Sequence, residues 1–502
     1  MINKDNFDRF QTPHSLGSSP RSKYWIRFPP PVRPVPVLAF AAIIAAGLFH
    51  IRSDLTFPIP WPDEAAFLSQ AIAVAERSTL HAPELNPDRD IMWMPPGYAF
   101  SMGLLFKILP FSLQTARWSS WLSLMLAFVG LLWLHRHNKF PVLTAAALSL
   151  LCFMPTCVVT GNIARMEALL ISFAILGFIL LNEQSQLIGL ALLAATPLLH
   201  PNGVYFLAAG ALWVLTSRRS IRLAKAEIVA FGVVILLWLS YGVYVFAHWD
   251  DFRSDMMFQL ARKSELSRAN TVLTLRNVAF LIAYSVLILR QLIRGASNAV
   301  LFFGAACFVI MPIAPEMWYE IFTAIAFVIA AAAATELFLS YLPDNRVWLI
   351  TAQLAAFLFI VLLGWSQDLL NRPSNYLHAR LVWGCDLKTS GPGAYIRPPE
   401  RSIVLDAIAR VVTSTTGRRV AFYPEGDALL FRPDRAESFV PFQATFTNVQ
   451  PDVAVFHFSK FLIPCWDEAT RSTMKRWGIA PSDIVLSRDV ANVWYVKRLT
   501  SP

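Results

Sequence analysis

Two adjacent carboxylates, Asp63 and Glu64, stand in the stretch Trp61-Pro62-Asp63-Glu64. A carboxylate can take a proton from a hydroxyl or bind a divalent cation, and an acidic pair beside a membrane is costly unless it is used. The same residues suit the first turn of a helix running into Ala65-Ala66-Phe67-Leu68. The two readings are compatible, because a capping residue is also held in one direction. The stretch carries Glu84, Asp88, Arg89 and Asp90, then restarts apolar chain at Met94-Pro95-Pro96-Gly97-Tyr98.

Further along, Arg165 and Glu167 open an apolar run. They suit either a structural ion pair or a second acid in the cavity of Asp63. His200 lies at the broken junction His200-Pro201-Asn202-Gly203, where it can hold a phosphate or a backbone carbonyl. Arg262, Lys263, Arg268 and Arg276 form either a solvated face or a clamp on a phosphoanion. Glu316, Tyr319 and Glu320 belong to a short polar turn that can line the same cavity. The pair His135 and His137 reads as solvated. No phosphate-binding loop, no G-x-S-x-G elbow and no zinc spacing occurs, so no nucleotide cofactor is expected.

The elements that must position these residues are membrane helices. Of 502 residues, 56% are hydrophobic and only 15% charged, against about 25% in soluble domains. Long apolar runs recur, which predicts an all-α polytopic membrane protein. The net charge of +10 is assigned to loops that stay cytoplasmic and to anionic membrane lipids, not to nucleic acid.

Residues 1–34 are basic and rich in serine and proline, the composition of a disordered cytoplasmic tail. The first span is Val35–Ile51, which puts the loop 52–97 outside. Gly97–Phe111 is too short to cross and is placed at the outer interface. If it crossed, the basic loop Arg218–Lys225 would fall outside, against the positive-inside rule. Spans then follow at Ala116–Leu134, Pro141–Val159, Met166–Leu181, Leu187–Leu199, Val204–Leu215 and Ala226–Ala247. Residues 248–275 are expected to be a second external loop. Val278–Leu292, Val300–Ile313, Ile321–Leu339 and Val347–Trp365 complete about eleven spans.

Residues 35–365 are thus the membrane domain, and 366–502 a small external, soluble α/β domain. Its strands are expected at Arg419–Tyr423, Val453–Phe458, Asp483–Leu486 and Val493–Val496, the last with the amphipathic pattern of an edge. Outside the cytoplasm, Cys385 and Cys465 are candidates for a disulfide; Cys152, Cys157 and Cys307 read as packing residues.

The order of these motifs resembles that of the GT-C glycosyltransferases that use polyprenyl-phosphate sugars. Within that superfamily the chain is similar to protein O-mannosyltransferases, the aminoarabinose transferase of lipid A and rhizobial galacturonosyltransferases. Four motifs carry the resemblance: Trp61–Glu64, Met94–Tyr98, Ala164-Arg165-Met166-Glu167-Ala168-Leu169-Leu170 and His200–Gly203. It spans roughly residues 35–340. It implies that Asp63 is the catalytic base, Glu64 its acidic neighbour and Glu167 the second acidic position. Arg165, His200, Arg262, Lys263 and Arg268 are then candidates for the donor phosphate, with Tyr98 and Tyr319 in the acceptor cavity. Many relatives carry Lys or His before the double proline, where this chain has Met94; that polar contact is lost or is replaced by Tyr98 or Arg89.

The implied partners are a polyprenyl-phosphate sugar donor, membrane lipids, and a glycan, lipid or protein acceptor, with a divalent cation optional. A cell-envelope enzyme of the inner membrane follows, acting for example on lipopolysaccharide. A transporter or flippase for a lipid-linked saccharide is the alternative, and a non-catalytic scaffold a third reading.

Overall fold

A computed structural model describes residues 62–83, 85–86, 89–135, 157, 160–161, 163–183, 185–217, 225–269, 275–293, 298–313 and 319–339. It also describes strand residues 420–423, 439–440, 453–457, 485–487 and 494–498. The N-terminal tail, the expected spans Val35–Ile51 and Val347–Trp365, most of Pro141–Val159, the loop 218–224, Glu316, Cys385 and Cys465 lie outside the described residues.

The described helices, in chain order, are α1 (Pro62–Arg77), α2 (Gly97–Ile108), α3 (Leu113–His135), α4 (Met166–Asn182), α5 (Gln186–Leu199) and α6 (Gly203–Ser217). They continue with α7 (Lys225–Ala247), α8 (Trp249–Ala269), α9 (Leu275–Ile293), α10 (Ala299–Ile313) and α11 (Glu320–Leu339). These are not the expected eleven spans. Three of that set fall wholly or mostly outside the described residues, and α1, α2 and α8 were never among them. Two described helices, Leu113–Leu134 and Lys225–Ala247, are long and apolar enough to cross a bilayer unaided.

Proline in the first helical position and two acids in the first turn start α1. Ser78 ends it in the left-handed conformation, φ 54°. The chain then runs back along α1 before α2 begins, so the two helices lie parallel. Phe67 meets Tyr98 edge-on near their starts, and Lys107 reaches Ser78 near their ends. At 12 residues, α2 is about 18 Å long, shorter than a hydrocarbon core of about 30 Å.

The bundle core is built from α3, α4, α6, α9, α10 and α11, with Leu193 of α5. Phe206 stacks on Phe303 at 5.3 Å and Phe178 meets the same ring edge-on at 5.7 Å. The outer faces remain apolar. On α3, Trp118, Leu122, Leu126, Val129 and Trp133 form one exposed stripe at helical spacing. On α7, Leu236, Leu237, Leu239, Val243 and Phe246 are all exposed. Apolar faces of that extent mark surfaces that contact lipid or further protein.

Residues 248–275 correct the expectation of a loop, since Trp249–Ala269 is helical. Its pattern is inverted: Asp255 and Gln259 are buried, while Met257, Phe258 and Leu260 are exposed. Among its described side chains, the inward face mixes polar Asp255 and Gln259 with half-buried Phe252 and Met256, so apolar periodicity gives a weak sign of the helix.

The C-terminal strands form one mixed sheet, in the order β2 (Phe439–Val440), β1 (Val420–Tyr423), β3 (Val453–His457), β5 (Trp494–Arg498), β4 (Val485–Ser487). β1 is parallel to β2 and β3, and β5 is antiparallel to β3 and β4. The last strand is therefore interior, not an edge. Side-chain alternation reports which face is buried; it says nothing of whether both backbone sides are paired.

Candidate active site

The first turn of α1 carries the acidic pair. Asp63 lies in that turn; its side chain is outside the described residues. The Glu64 side chain is completely buried and points into the protein. Arg117 of α3 grips it with both ends of its guanidinium, Nε to Oε1 at 2.9 Å and Nη2 to Oε2 at 2.7 Å. The Ala164 backbone N–H, just before α4, donates to Oε1 at 2.6 Å. Glu64 thus joins α1, α3 and the start of α4, which sets the position of its neighbour Asp63.

Arg165 holds extended backbone ahead of α4. It pairs with Glu167 in the first turn, Nη2 to Oε1 at 3.0 Å, with both side chains buried. Its guanidinium also lies over the Phe67 ring at 5.3 Å from the centroid. Phe67 in turn stacks on Trp93 at 5.3 Å. Tyr98 is buried in the same group. Burial raises its phenol above the ordinary value, and the Glu64 and Glu167 carboxylates add to the rise. It therefore keeps its proton.

Gly97 abuts the Leu198 carbonyl so closely that any side chain would collide with it. That approach seats the start of α2 against the end of α5. There the helix closes at His200, and α6 restarts at Gly203, whose N–H donates to the His200 carbonyl at 2.8 Å. The Asn202 N–H donates to His200 Nδ1 at 3.0 Å, and Nε2 lies 3.1 Å from the hydroxyl of Tyr319, just before α11.

A second polar group ties the stretch after α1 to α7 and α8. Asp255 accepts from Arg89 at 2.7 Å and from the Met92 N–H at 2.6 Å. Asp90 holds His81 at 2.9 Å and accepts from the Tyr244 hydroxyl. Arg89, a candidate replacement for the missing cation at Met94, is thus engaged with α8. Arg262, Lys263 and Arg268 lie on the second half of α8, and their side chains are outside the described residues.

Of the candidate residues, Glu64, Tyr98, Arg165 and Glu167 stand together. His200 and Tyr319 form an adjoining pair. Arg117 was missed, and Asp90 and Asp255 were read as charges of their stretches without a partner being assigned. A lone arginine at the start of the apolar run Ala116–Leu134 was a usable signal for the first, because a charge there needs a partner. Among the described residues, no three His, Cys, Asp or Glu side chains come close enough to hold a metal ion together.

No family model and no curated protein matches the sequence. Among solved structures, the chain is similar to ArnT from Cupriavidus metallidurans bound to undecaprenyl phosphate. Identity is 14%, the TM-score 0.52, and the match covers 94% of this chain and 100% of that one. The apo state of ArnT gives 13% identity, the same TM-score of 0.52, and coverage of 93% and 99%. The chain therefore shares the fold of these ArnT structures.

Proposed function

We propose that the chain is a membrane glycosyltransferase that moves a sugar from a polyprenyl-phosphate donor to a hydroxyl of an extracytoplasmic acceptor. The observation that carries this reading is the placement of the acidic pair. Arg117 and Ala164 bind Glu64 into the bundle end where α1, α2, α3 and α4 begin, in a fold whose solved example holds undecaprenyl phosphate.

Asp63 accepts the proton of the acceptor hydroxyl as that oxygen attacks the anomeric carbon. The bond from that carbon to the phosphate oxygen breaks, and the polyprenyl phosphate leaves with the bonding pair, so the configuration inverts. Positive charge from Arg262, Lys263 and Arg268 offsets the charge on the departing phosphate. Glu64 acts through its grip on α1, and Arg165 balances Glu167 beside the reacting groups. The enzyme lies in the inner membrane with a cytoplasmic N-terminus. The C-terminal domain, residues 366–502, is periplasmic. Lipopolysaccharide or another cell-envelope glycan, lipid or protein is the acceptor.

The test is the mass profile of envelope lipids and glycans from a strain lacking the gene. One product is expected to lose the mass of one sugar. The intact gene restores it, and Asp63→Asn does not, although that variant still inserts and folds. Restoration by Asp63→Asn would reject the base, and an unchanged profile would reject the enzyme. Repeating the restoration in isolated membranes with EDTA measures any part a divalent cation plays.

A further inference from the structure

We propose that His81, Asp90 and His248 form a proton-operated clasp that tightens the chain between α1 and α2 onto the α7–α8 corner when the medium turns acid. The clasp is a property of the fold and holds whether or not the chain is a transferase. Asp90 lies in the stretch between α1 and α2, and its carboxylate meets three partners. His81 Nδ1 donates to Oδ1 at 2.9 Å, and the Tyr244 hydroxyl of α7 donates to Oδ2. His248, the one residue between α7 and α8, holds Nδ1 3.8 Å from Oδ2. The two imidazoles answer a proton differently. A neutral ring with its hydrogen on Nδ1 already donates to a carboxylate, and a charged ring makes the same bond stronger. At 3.8 Å His248 makes no hydrogen bond, so it attracts Asp90 only when charged.

The joint is short of positive charge. Asp251, in the first turn of α8, lies 4.0 Å from His248 Nδ1, and the Tyr244 ring packs on that imidazole with centroids 4.8 Å apart. Arg89 stands 4.0 Å from Asp251, and its Nη2 is committed to Asp255 at 2.7 Å. Asp250 and Arg253 are exposed on the outer side of α8 and offset each other. Among the described residues, the carboxylates of Asp90, Asp251 and Asp255 thus face one guanidinium. Two positive charges would balance them, and His81 and His248 supply two when protonated. Their side chains are 36% and 39% exposed, so protons of the medium reach them. Imidazole is the side chain that takes up its charge between pH 8 and 5. With both rings charged the joint is neutral; as pH rises through that range the attraction of His248 is lost and that of His81 weakens. The stretch so held runs on into α2, which carries Tyr98 of the Glu64 group.

The experiment uses the full chain in detergent. Amide exchange of residues 79–92 is read at pH 5.5 and pH 8, each corrected for the intrinsic exchange rate at that pH. Protection is expected to be about fivefold higher at pH 5.5, the scale of two partly exposed ion pairs, with α10 as the reference that does not change. The double variant His81→Gln with His248→Gln keeps hydrogen-bond donors but carries no charge. It should match the unaltered chain at pH 8 and lose the rise at pH 5.5. His248→Arg, charged at both pH values, should show raised protection already at pH 8. Thermal unfolding checks that each variant folds; if the double variant does not, the unaltered chain and His248→Arg decide. Equal protection at the two pH values in the unaltered chain, an undiminished rise in the double variant, or no gain at pH 8 from His248→Arg would overturn the clasp.

Discussion

Glu64 and Arg117 are 53 residues apart in sequence and form a two-pronged, fully enclosed ion pair. Such a pair adds little over an apolar one of the same shape, yet losing one partner leaves a buried charge that costs about 3–5 kcal/mol. Arg117→Met should therefore lower the unfolding midpoint markedly, while Glu64→Leu with Arg117→Met should regain most of it. Equal losses from the single and double variants would show that the pair does not act as a unit. Tyr98 gives a pH-dependent expectation. Its folded pKa is raised, so the unfolded chain releases the phenolic proton at lower pH than the folded one. The stabilisation is complete below the unfolded value of about 10 and is lost as pH rises above it. Tyr98→Phe should remove that alkaline slope, seen as unfolding midpoints that fall less steeply above pH 10.

At the scale of elements, α8 is a fastening rather than a loop. Asp255 satisfies both Arg89 and the Met92 N–H from its buried side. Asp255→Ala should release the chain between α1 and α2, measured as faster amide exchange at residues 89–94 with α10 unchanged. Protection at 89–94 equal to the unaltered protein would mean that other contacts hold that stretch. Gly97 serves the neighbouring joint. Gly97→Val would drive a side chain into the Leu198 carbonyl, separating α2 from α5 and so the Tyr98 group from His200. Both joints depend on short polar or backbone contacts between elements distant in sequence, which apolar periodicity does not record.

Across the whole molecule, all but one of the described buried Asp, Glu and Arg side chains gather at one end. Glu64, Arg117, Arg165, Glu167, Asp255 and Glu320 belong to it, and Glu227 lies at the opposite end of the 23-residue α7. Such an arrangement suits chemistry at one face better than passage across a bilayer, which needs polar groups along the path. In the proposed orientation, an impermeant maleimide should label Asp250→Cys in intact cells whose outer membrane is opened, and Lys225→Cys only after the inner membrane is breached. The reverse pattern would turn the acidic pair toward the cytoplasm and remove its access to an external donor.

What the sequence determined by itself was the class of structure. Apolar runs of fixed length must become membrane helices, because lipid satisfies no backbone group. Thus α3, α4, α6, α7, α10 and α11 lie close to where the runs Ala116–Leu134, Met166–Leu181, Val204–Leu215, Ala226–Ala247, Val300–Ile313 and Ile321–Leu339 put them. Only the tertiary structure decided the partners: Glu64 with Arg117, His200 with Tyr319, Asp255 with Arg89, and β5 inside its sheet. Helix formation is a local hydrogen-bond problem written in nearby residues. A charge or hydroxyl can be satisfied by any partner that packing brings within about 3 Å, and that choice is made by the whole bundle.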